Sequence, residues 1–494
     1  MYYVTTALPY VNAAPHLGHA LEFVQADVLA RHRRLRGQPV RFLSGTDDHA
    51  LKNVLAARRA GEPVADYVST AADRFQALQD VLDLSCDDYI RTSSDPRHRP
   101  GVEYLWERCA AAGDFYRHTY TGLYCVGCEQ FYEPDSLVEG VCPEHGVQPE
   151  QVTETNWFFR LSRYCEQIRD AITSGALTIN PAQKRNEVLA LLDQGLQDFS
   201  VSRPADRAGG WGIPVPQDPA QVIYVWWDAL TNYVTALGVD RDSEEFESWW
   251  AGDGERVHVI GKGITRFHAV YWIGLLLSAG LPLPTTIHVH DYVNVGGTKL
   301  SKSTGNIVDP VDLVDAYGTD ALRWWITREV PLLGDTEFTA QRLVQAYNTD
   351  LANGIGNLAN RTTTLLHKYY DGQPCTDDEP VVGPTWDSAG LDSACTALPS
   401  NVDAALGTAD FRAATAHLVA AVGIANQLLN AAEPWKRLKD PDGDTHLSHR
   451  LLSRVARACR TIATELTPFC PAGAARLTAQ LEGAPPVPVF VRLT

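Results

Sequence analysis

Residues 2–49, which read YYVTTALPYVNAAPHLGHALEFVQADVLARHRRLRGQPVRFLSGTDDH, contain the pattern that decides the fold. The first five of these residues are β-prone. Apolar residues then recur at roughly helical spacing, at Leu21, Val24, Val28 and Leu35. Gly37 is typical of a helix end, and residues 40–43 form a second β-prone run. This order predicts a β–α–β unit, the kernel of a nucleotide-binding parallel sheet.

The alternation of strands and helices is interrupted once along the chain. Residues from about 114 to 220 are rich in Gly and Pro, contain a cysteine cluster and have the composition of an insertion between two halves of a sheet. Apolar runs at 222–227, 257–261 and 286–295 predict that strands then resume. Beyond about residue 338, apolar residues line one helical face: Leu343, Tyr347, Leu351, Ile355 and Leu358.

The sequence therefore predicts an α/β fold, in which a Rossmann-type parallel-sheet domain carries an insertion and is followed by an all-α bundle. A chain of 494 residues can bury a sizeable core without disulfide staples. The expected segments are the first half of the Rossmann-type domain (1–113), the insertion (114–220, with its cysteine cluster within about 122–147), the second half (221–285), a linking region (286–337) and the helical domain with its C-terminal tail (338–494).

Composition and charge narrow the class of protein. Hydrophobic residues make up 45% and charged residues 21% of the chain, which is typical of globular proteins. No apolar run reaches the roughly 18 residues of a membrane span, and residues 1–9 lack the features of a signal peptide. We therefore expect a cytoplasmic protein without membrane contact. Because the formal net charge is −18, any nucleic-acid site must be a local basic patch.

Two short motifs carry candidate chemistry. His16-Leu17-Gly18-His19 stands where the first strand meets the helix, and the unpaired N–H groups of a helix start favour a phosphate. Gly18 lets a ligand approach the backbone closely. Lys299-Leu300-Ser301-Lys302-Ser303 places two ammonium groups three residues apart in a loop. Taken alone, the first motif is also explained by a helix cap with two surface histidines, and the second by a solvated basic turn.

Taken together and in this order, the two motifs resemble the paired signatures of class I aminoacyl-tRNA synthetases over roughly residues 1–340. Four further stretches narrow the resemblance to the methionyl-tRNA synthetase family over nearly the whole chain: Ala7-Leu8-Pro9-Tyr10, Gly45-Thr46-Asp47-Asp48-His49, Tyr224-Val225-Trp226-Trp227-Asp228-Ala229-Leu230 and Arg266-Phe267-His268. This resemblance implies a methionine–tRNA ligase, which activates L-methionine with ATP and transfers the methionyl group to tRNA(Met).

The resemblance also implies which residues act on ATP. The catalytic residues would be His16, His19, Lys299 and Lys302. ATP would be bound, together with Mg²⁺, by His16, Gly18, His19, Gly261, Lys299, Ser301 and Lys302. The amino-acid carboxylate is already ionised at neutral pH, so its attack on the α-phosphorus needs no general base. What the reaction needs is positioning and stabilisation of charge on the phosphoryl oxygens, which imidazole and ammonium donors provide.

By the same resemblance, the methionine side chain would lie among Leu8, Tyr10, Trp226, Ala229, Leu230, Tyr233, Ile264 and His268. An apolar, aromatic pocket suits an unbranched thioether, which contacts ring edges favourably. Asp47 matches the carboxylate that holds the substrate ammonium group. Without the resemblance, Trp226 and Tyr233 would be read as ordinary core aromatics.

The chain departs from the family pattern at four positions. Class I enzymes usually carry an Asp that binds the ribose hydroxyls of ATP, and this chain has Gly263 there, within Gly261-Lys262-Gly263. Either another group compensates, or ATP binds more weakly. Asp48 and Ala50 stand where the family often has Glu and Gly. Leu300 replaces the usual Met, an exchange that conserves volume.

Two closely spaced residue pairs predict a structural metal site. Cys125-x-x-Cys128 is followed by Cys142-x-x-His145, and three thiolates with one imidazole complete a tetrahedral zinc set. Because protein groups fill all four positions, one structural zinc per chain is expected. The resemblance places a zinc knuckle of this kind in the same insertion. The alternative is a set of free buried thiols.

The helical C-terminal region resembles the anticodon-binding domain of the family. Asn357 and Arg361 are four residues apart and share a helix face. Trp435 can stack on an unpaired base. By resemblance, these three residues would bind the CAU anticodon of tRNA(Met). No appended dimerisation module is visible, so a monomer is expected.

Rival functions stay open on the sequence alone. A class I synthetase for another apolar amino acid would normally carry a large editing insertion, for which this chain has little room. A non-catalytic paralogue would bind tRNA or zinc without activating an amino acid, and Gly263 motivates that alternative. The departures at Ala50, Gly263 and Leu300 also allow a variant enzyme with altered inhibitor sensitivity.

Overall fold

The computed structural model describes residues 1–126, 130–132, 134–143, 146–296, 298–299, 308–375, 381–383, 386–441 and 443–494. For residues 130, 298 and 299 it describes the backbone alone. The predicted site residues Cys128, His145, Ser301 and Lys302 lie outside the described residues. The chain forms two compact units, residues 1–80 with 84–290, and residues 81–83 with 291–494.

The first unit is built around a sheet of six parallel strands. The strands of this unit are β1 (Tyr2–Thr6), β2 (Val40–Thr46), β3 (Asp88–Arg91), β4 (Phe115–Cys125), β5 (Gln130–Tyr132), β6 (Glu150–Phe159), β7 (Thr178–Asn180), β8 (Phe199–Ser200), β9 (Ser202–Pro204), β10 (Pro214–Val215), β11 (Asp218–Ile223), β12 (Glu255–Gly261) and β13 (Thr286–His290). The order across the main sheet is β3-β2-β1-β12-β13-β7. The chain adds strands in opposite directions from β1 and β12, so a topological switch point lies between them.

Helices cover and connect these strands. They are α1 (Leu17–Leu35), α2 (Leu51–Ala60), α3 (Val64–Gln76), α4 (Leu78–Val81), α5 (His98–Ala111), α6 (Cys165–Thr173), α7 (Ala182–Asp193), α8 (Val225–Thr235), α9 (Glu244–Phe246) and α10 (Trp272–Ala279). Short 3₁₀ turns span Pro134–Ser136, Leu161–Tyr164, Val239–Arg241 and Lys262–Ile264, and π-helical turns span Glu247–Ala251 and Phe267–Tyr271.

The predicted β–α–β unit is confirmed. β1 is buried along its whole length and pairs in parallel with β2. α1 buries Leu21, Val24 and Val28, so the residues that set the helical period are those that cover the sheet. Gly37 takes a φ of 75°, a left-handed conformation that favours glycine just after a helix.

Between β3 and β12 the chain builds two smaller antiparallel sheets. β4 pairs along its length with β6, in the order β5-β4-β6-β8, and β11 pairs with β9 and β10. β7 returns to the edge of the main sheet beside β13. The strand predicted at 222–227 is wrong in its second half, because β11 ends at Ile223 and α8 begins at Val225. A short apolar run fits a buried helix as well as a strand, since neither leaves a polar face.

The second unit is mainly helical within its described residues. Its strands are β14 (Val293–Val295), β15 (Thr298–Lys299) and β16 (Thr336–Glu337). Its helices are α11 (Pro310–Tyr317), α12 (Thr319–Glu329), α13 (Ala340–Ala346), a π-helical segment (Tyr347–Gly356), α14 (Asn357–Tyr370), α15 (Ala389–Gly407), α16 (Phe411–Ala432), α17 (Pro434–Arg437), α18 (Thr445–Leu466) and α19 (Pro471–Leu481).

The apolar face predicted for the helical region is confirmed, because all five of its residues are buried: Leu343, Tyr347, Leu351, Ile355 and Leu358. A fully buried arginine, Arg323, helps hold this unit together by donating to the carbonyl oxygens of Phe469 and Pro468 at 2.9 and 2.8 Å. Across the described residues, no helix has both the length and the apolar character that crossing a membrane requires.

Candidate active site

The candidate site lies at the edge of the main sheet where β2, β1, β12 and β13 have their carboxyl ends. Ligands of open parallel sheets bind at this edge, at the switch point. Leu8 and Tyr10 follow β1, Asp47 follows β2, and Gly261 is the last residue of β12. The topology therefore carries predicted ATP-binding and methionine-binding residues to one edge.

The paired histidines close the first turn of α1. His16 is the N-cap residue, and its Nδ1 accepts from the Gly18 N–H at 3.1 Å. His19 Nδ1 accepts from the His16 N–H at 3.1 Å, and the two rings stack with centroids 3.8 Å apart. Because each Nδ1 accepts a hydrogen bond, the neutral form of each imidazole carries its proton on Nε2. The helix start thus holds two N–H donors in the tautomer that can donate to a phosphate oxygen.

A buried carboxylate, Glu22 of α1, ties three strand ends together. Its Oε1 accepts from the Ala7 N–H at 2.8 Å, just beyond β1. Its Oε2 accepts from the Gly261 N–H at 3.1 Å and lies 3.2 Å from His290 Nε2. Those two residues end β12 and β13. The N–H of Gly261, a predicted ATP-binding residue, therefore donates to a partner within the protein.

Aromatic rings form the wall of the predicted methionine pocket. Trp226, at the start of α8, stacks on Phe267 with centroids 3.9 Å apart and an interplanar angle of 7°. Tyr10 approaches Trp226 edge-on at 6.2 Å. The buried indole N–H of Trp226 has no hydrogen-bond partner within the described part of the chain. Such geometry presents ring faces and edges, which a thioether contacts favourably.

Two pocket residues are locked to each other by a buried hydrogen bond. The Tyr233 hydroxyl lies 2.7 Å from His268 Nε2, and His268 Nδ1 lies 3.0 Å from the Ile264 carbonyl oxygen. Since a carbonyl oxygen only accepts, His268 donates from Nδ1 and accepts from Tyr233 at Nε2. Burial lowers the pKa of His268 to about 4, so the ring is neutral at pH 7.

The other predicted methionine contacts lie around the same elements. Ala229 and Leu230 are buried on α8, whereas Leu8 and Ile264 are half-buried against the main core. Asp47 is buried, forms an isolated parallel bridge with Tyr10, and donates its N–H to the Pro9 carbonyl oxygen at 3.0 Å. The loop after β2 is thereby fixed to the loop after β1.

A second buried carboxylate, Asp228, lies on α8 between two imidazoles. Its Oδ2 is 2.6 Å from His49 Nδ1 and its Oδ1 is 2.5 Å from His98 Nε2. Burial opposes the charge on Asp228, but His49 and His98 outweigh it and lower the pKa of Asp228. Burial likewise disfavours the imidazolium form of His49, yet the Asp228 carboxylate raises the pKa of His49. The pair is an ionic tie between α8 and the loop that carries Asp47.

Comparison with known proteins places the chain in a family. A family model described as tRNA synthetases class I (M) matches residues 2–152 and 145–363. Methionine–tRNA ligase of Mycobacterium bovis is 40% identical over 98% of this chain and 92% of its own length, and that of Brucella melitensis is 38% identical over 96% and 90%. The chain belongs to the methionine–tRNA ligase family. The predicted family and its enzymatic class are thus confirmed.

Solved structures of the family share the fold. Mycobacterium tuberculosis methionyl-tRNA synthetase in complex with methionyl-adenylate matches with a TM-score of 0.92 and 39% identity, over all of this chain and 97% of that one. The apo form of that enzyme matches with a TM-score of 0.85 and 34% identity, over all of this chain and 98% of its own. The predicted α/β class with a helical C-terminal region is therefore confirmed.

Only part of the family's lysine motif falls within the described residues. Lys299 lies in β15, and its backbone pairs with Asn294 of β14. The predicted ATP ligands Ser301 and Lys302 lie outside the described residues. Gly263 lies in the 3₁₀ turn after β12 and is exposed.

Two of the four predicted zinc ligands can be located. Cys125 and Cys142 are buried and share a small cluster with Tyr132. Cys142 Sγ lies 3.6 Å from the Tyr132 hydroxyl. Cys128 and His145 lie outside the described residues. The geometry therefore brings one cysteine of each predicted pair into the same cluster.

Two of the three predicted anticodon residues, Arg361 and Trp435, meet in the second unit. The Arg361 guanidinium lies over the Trp435 ring, 4.7 Å from its centroid. Arg361 also donates to Asn430 Oδ1 at 3.2 Å. Asn357 is exposed at the start of α14, four residues before Arg361.

Sequence reasoning missed Glu22, Asp228 and His98 as site residues. Glu22 lies three residues after His19 among the apolar residues of α1, and an acidic residue on an apolar helix face is a usable signal. Asp228 similarly interrupts the apolar run that begins α8. His98 offered no such signal, because it lies in a polar stretch at the start of α5.

Proposed function

We propose that the chain activates L-methionine with ATP to methionyl-adenylate and then transfers the methionyl group to tRNA(Met). The observation that carries the proposal is the ring wall of Trp226 and Tyr10, with Asp47 bridged to Tyr10. These residues lie at the sheet edge where His16 caps α1. The methionyl-adenylate complex of the Mycobacterium tuberculosis relative supports the same ligand here.

In the first step, a carboxylate oxygen of methionine bonds to the α-phosphorus of ATP and the bond to pyrophosphate breaks. The Nε2–H groups of His16 and His19 would donate to phosphoryl oxygens as charge moves onto them. Mg²⁺, when bound with ATP, would neutralise further phosphate charge. Removing one such donor typically costs about 2–4 kcal/mol in the barrier.

In the second step, a ribose hydroxyl at the 3′ end of the tRNA attacks the carbonyl carbon of the adenylate, and AMP leaves. No covalent bond to the protein is required in either step. The protein contributes by holding the two reacting groups in line, which can lower a barrier by several kcal/mol, on the order of 7–11 in favourable cases.

Methionine would be recognised at both of its ends. The Asp47 carboxylate would accept from the substrate ammonium group, an interaction worth roughly 1.5–3 kcal/mol. The thioether would lie against Trp226. Because His268 is neutral and its Nε2 is occupied by Tyr233, His268 presents no charge to the thioether side chain.

The proposal also covers the residues that would bind the phosphates and the ribose of ATP. Lys299, Ser301 and Lys302 would bind the phosphates of ATP, and the family resemblance supports that role. Gly263 would leave the ribose hydroxyls without the carboxylate that class I enzymes usually provide. ATP would therefore bind less tightly than it does with an Asp at this position.

One structural zinc would be held by Cys125, Cys128, Cys142 and His145. The burial of Cys125 and Cys142 in one cluster supports this ligand set. When bound, zinc would cross-link the two halves of the knuckle and stabilise its fold.

The second unit would bind the tRNA anticodon. The Arg361–Trp435 contact supports this role, because a guanidinium and an indole together offer stacking and base-edge donors to an unpaired base. Asn357 would add an amide on the same helix face. The cytoplasmic location, the monomeric state and the domain boundaries stay predictions.

Methionine-dependent ATP–pyrophosphate exchange tests this function. The protein should exchange label with methionine, and with leucine, isoleucine or valine at a rate at least tenfold lower. Exchange with one of those amino acids but not methionine would identify a different class I synthetase. No exchange with any amino acid at saturating ATP would identify a non-catalytic paralogue.

A further inference from the structure

The loop after β2 carries two adjacent aspartates, Asp47 and Asp48, and two side chains fix its main chain. The buried Asn53 donates from Nδ2 to the carbonyl oxygens of Asp47 and Asp48 at 3.1 and 2.9 Å. The Trp211 indole N–H also donates to the Asp48 carbonyl oxygen at 2.7 Å. The backbone of the loop is therefore held in place, and the direction of each carboxylate depends on the contacts of its own side chain.

The two carboxylates have different partners. Asp48 Oδ2 accepts from Ser93 Oγ at 2.7 Å and from the Ser93 N–H at 3.2 Å, just beyond β3. Burial raises the pKa of Asp48. Asp47 Oδ1 instead accepts from the His49 N–H at 3.3 Å. Asp48 is thus engaged with the end of β3, whereas the direction of the Asp47 carboxylate depends on where residue 49 is held.

Residue 49 is held through its imidazole, which is 10% exposed. His49 Nδ1 lies 2.6 Å from Asp228 Oδ2 on α8. The other oxygen of Asp228 lies 2.5 Å from His98 Nε2, and His98 Nδ1 lies 2.8 Å from Thr235 Oγ1. Short hydrogen bonds between charged partners fix direction as well as distance. The loop is therefore anchored to α8, the helix that also carries Trp226 of the predicted methionine pocket.

The anchored imidazole and the N–H that contacts Asp47 belong to the same residue. A shift of the His49 ring away from Asp228 would move the His49 backbone with it. The bond from the His49 N–H to Asp47 is already long at 3.3 Å, beyond the usual N–H···O range of about 2.7–3.2 Å. A small displacement is therefore enough to break it, so the contact with Asp228 controls the Asp47 carboxylate.

We propose that His49 is a positioning residue for methionine: its contact with Asp228 fixes the His49 N–H, which directs the Asp47 carboxylate toward the substrate ammonium group. The inference rests on the proposed function, in which Asp47 holds that ammonium group. A binding group keeps its geometry when neighbouring residues restrain it. Loss of the His49 imidazole should therefore weaken the binding of ligands that carry an ammonium group and spare ligands that lack one.

Two analogues of methionine, measured without ATP, separate this role from a general effect on the pocket. Methioninol keeps the thioether and the ammonium group but has a hydroxyl group in place of the carboxylate. In contrast, γ-methylthiobutyrate keeps the thioether and the carboxylate but lacks the ammonium group. Titration calorimetry gives the dissociation constant of each. In His49→Ala, the constant for methioninol should rise roughly tenfold, as expected when a charged hydrogen bond is misaligned, while that for γ-methylthiobutyrate should stay unchanged.

His49→Asn keeps an N–H donor beside Asp228 and should recover part of the loss. A neutral donor contributes roughly half as much free energy as a charged one, so the dissociation constant of methioninol should rise only about threefold. If His49→Ala does not fold, this smaller rise, again confined to methioninol, carries the test. No rise in His49→Asn, or a rise as large as in His49→Ala, would contradict the role of the donor to Asp228.

His288→Ala is the matched control, because it removes a buried imidazole outside the site. His288 is 6% exposed, and its Nδ1 lies 3.4 Å from Asn180 Nδ2, between β13 and β7. The variant should leave the dissociation constants of both analogues unchanged. Equal losses with the two analogues in His49→Ala, no loss with methioninol, or the same loss in His288→Ala would overturn the proposal.

A double-mutant cycle with Asp47→Asn tests whether His49 acts through Asp47. Asp47→Asn removes the charged acceptor itself. Adding His49→Ala should then raise the dissociation constant of methioninol by no more than about twofold, since the two residues act on one interaction. Losses that multiply would show that His49 reaches the ligand by another route and would contradict the proposal.

ATP–pyrophosphate exchange separates this proposal from the proposed function. The wild type should exchange with methionine, and His49→Ala should raise the KM for methionine with little change in kcat, because the ammonium contact is made both before and during the reaction. Exchange by the wild type without an ammonium-specific loss in His49→Ala would refute the positioning role alone. Absence of exchange in the wild type would instead refute the proposed function itself.

Discussion

The nucleotide side and the methionine side of the candidate site are each held by one buried carboxylate, Glu22 and Asp228, and the two differ in their partners. Glu22 accepts from two backbone N–H groups and lies near one imidazole. Asp228 lies between two imidazoles, His49 and His98. Backbone amides do not titrate, whereas the His49 partner of Asp228 does, and Asp228 raises its pKa.

The comparison shows that the interactions of Glu22 and those of Asp228 depend on different chemistry. Glu22 fixes the backbone at the ends of β1 and β12, so it can act whatever side chains those loops carry. The Gly261 N–H bond to Glu22 does not involve the side chain of residue 263. Asp228 fixes side chains, and its tie is strongest only when its carboxylate and His49 are both charged.

Glu22→Ala should have the largest effect on stability. It leaves two buried backbone N–H groups without acceptors, each costing about 1–3 kcal/mol, so we expect a loss of about 3–5 kcal/mol. Urea unfolding measures this loss. Glu22→Gln is the control, because it keeps one acceptor oxygen and should lose about half as much. A loss below about 1 kcal/mol in Glu22→Ala would show that the strand ends need no such tie.

Asp228→Asn should destabilise the first unit by about 2–4 kcal/mol, since it leaves a buried imidazolium without its counter-charge. The KM for methionine should also rise, because α8 carries Trp226 and Tyr233. Unfolding curves and exchange kinetics provide the two readouts. If stability falls while the KM stays constant, Asp228 holds the fold and does not position the pocket.

The pH dependence of stability should separate the two ties further. The pKa of Asp228 is lowered in the folded state, so its contribution is present above the unfolded value of about 4 and is lost as pH falls toward the folded value. The pKa of His49 is raised, so its contribution is complete below about 6.5 and is lost as pH rises through the folded value. The pair therefore stabilises fully between about pH 4 and 6.5.

Urea unfolding of the wild type across pH 5 to 9 checks this expectation. Stability should decline as pH rises above about 6.5, and the decline should disappear in Asp228→Asn. A decline of the same size in both proteins would assign the titration to other groups.

Tyr233→Phe sharpens the comparison on the methionine side. It removes the donor to His268 Nε2 and leaves that buried nitrogen unsatisfied, at a cost of about 1–3 kcal/mol. Part of this cost should appear as a roughly tenfold higher KM for methionine. Tyr3→Phe is matched to it, since Tyr3 is equally buried and its hydroxyl donates to the Tyr233 carbonyl oxygen at 2.8 Å outside the pocket. An equal rise of the KM for methionine in Tyr3→Phe would show that the Tyr233→Phe effect comes from a general loss of packing and not from the bond to His268.

Gly263→Asp tests the nucleotide side of the candidate site. Its effect on the kinetic constants should be the smallest of these changes. Gly263 lies within the 3₁₀ turn Lys262–Ile264, a right-handed conformation that an Asp also adopts. A new carboxylate hydrogen bond to the ribose should lower the KM for ATP roughly three- to fivefold, without change in the KM for methionine. Initial-rate exchange at varied ATP measures it. An unchanged KM for ATP would mean that another group already binds the ribose.

The features of the fold that could be predicted from the sequence are those that depend on residues close together in the chain. The β–α–β unit followed from the spacing of Leu21, Val24 and Val28, since one helix face covers the sheet. The role of Glu22 could not follow in this way, because Ala7, Gly261 and His290 lie 15, 239 and 268 residues away in sequence. Only the topology brings those groups together.

The same limit applies to the start of α8. Residues 222–227 form an apolar run that is buried except at the half-buried Trp226, and burial alone does not distinguish a strand from a helix. The helix begins at Val225 and turns Asp228 toward His49 and His98. The ion pair of Asp228 and His49 could therefore not be predicted, because Asp228 lies within an apolar run. The motif residues could be predicted from their resemblance to the family.

Transfer of labelled methionine to tRNA tests the central claim most directly. The wild-type chain, with ATP and Mg²⁺, should charge tRNA that carries a CAU anticodon, and should charge the same tRNA with an altered anticodon far more slowly. Charging should stop when ATP is omitted. Failure to charge the CAU tRNA at saturating methionine and ATP, or faster charging with leucine than with methionine, would contradict the account.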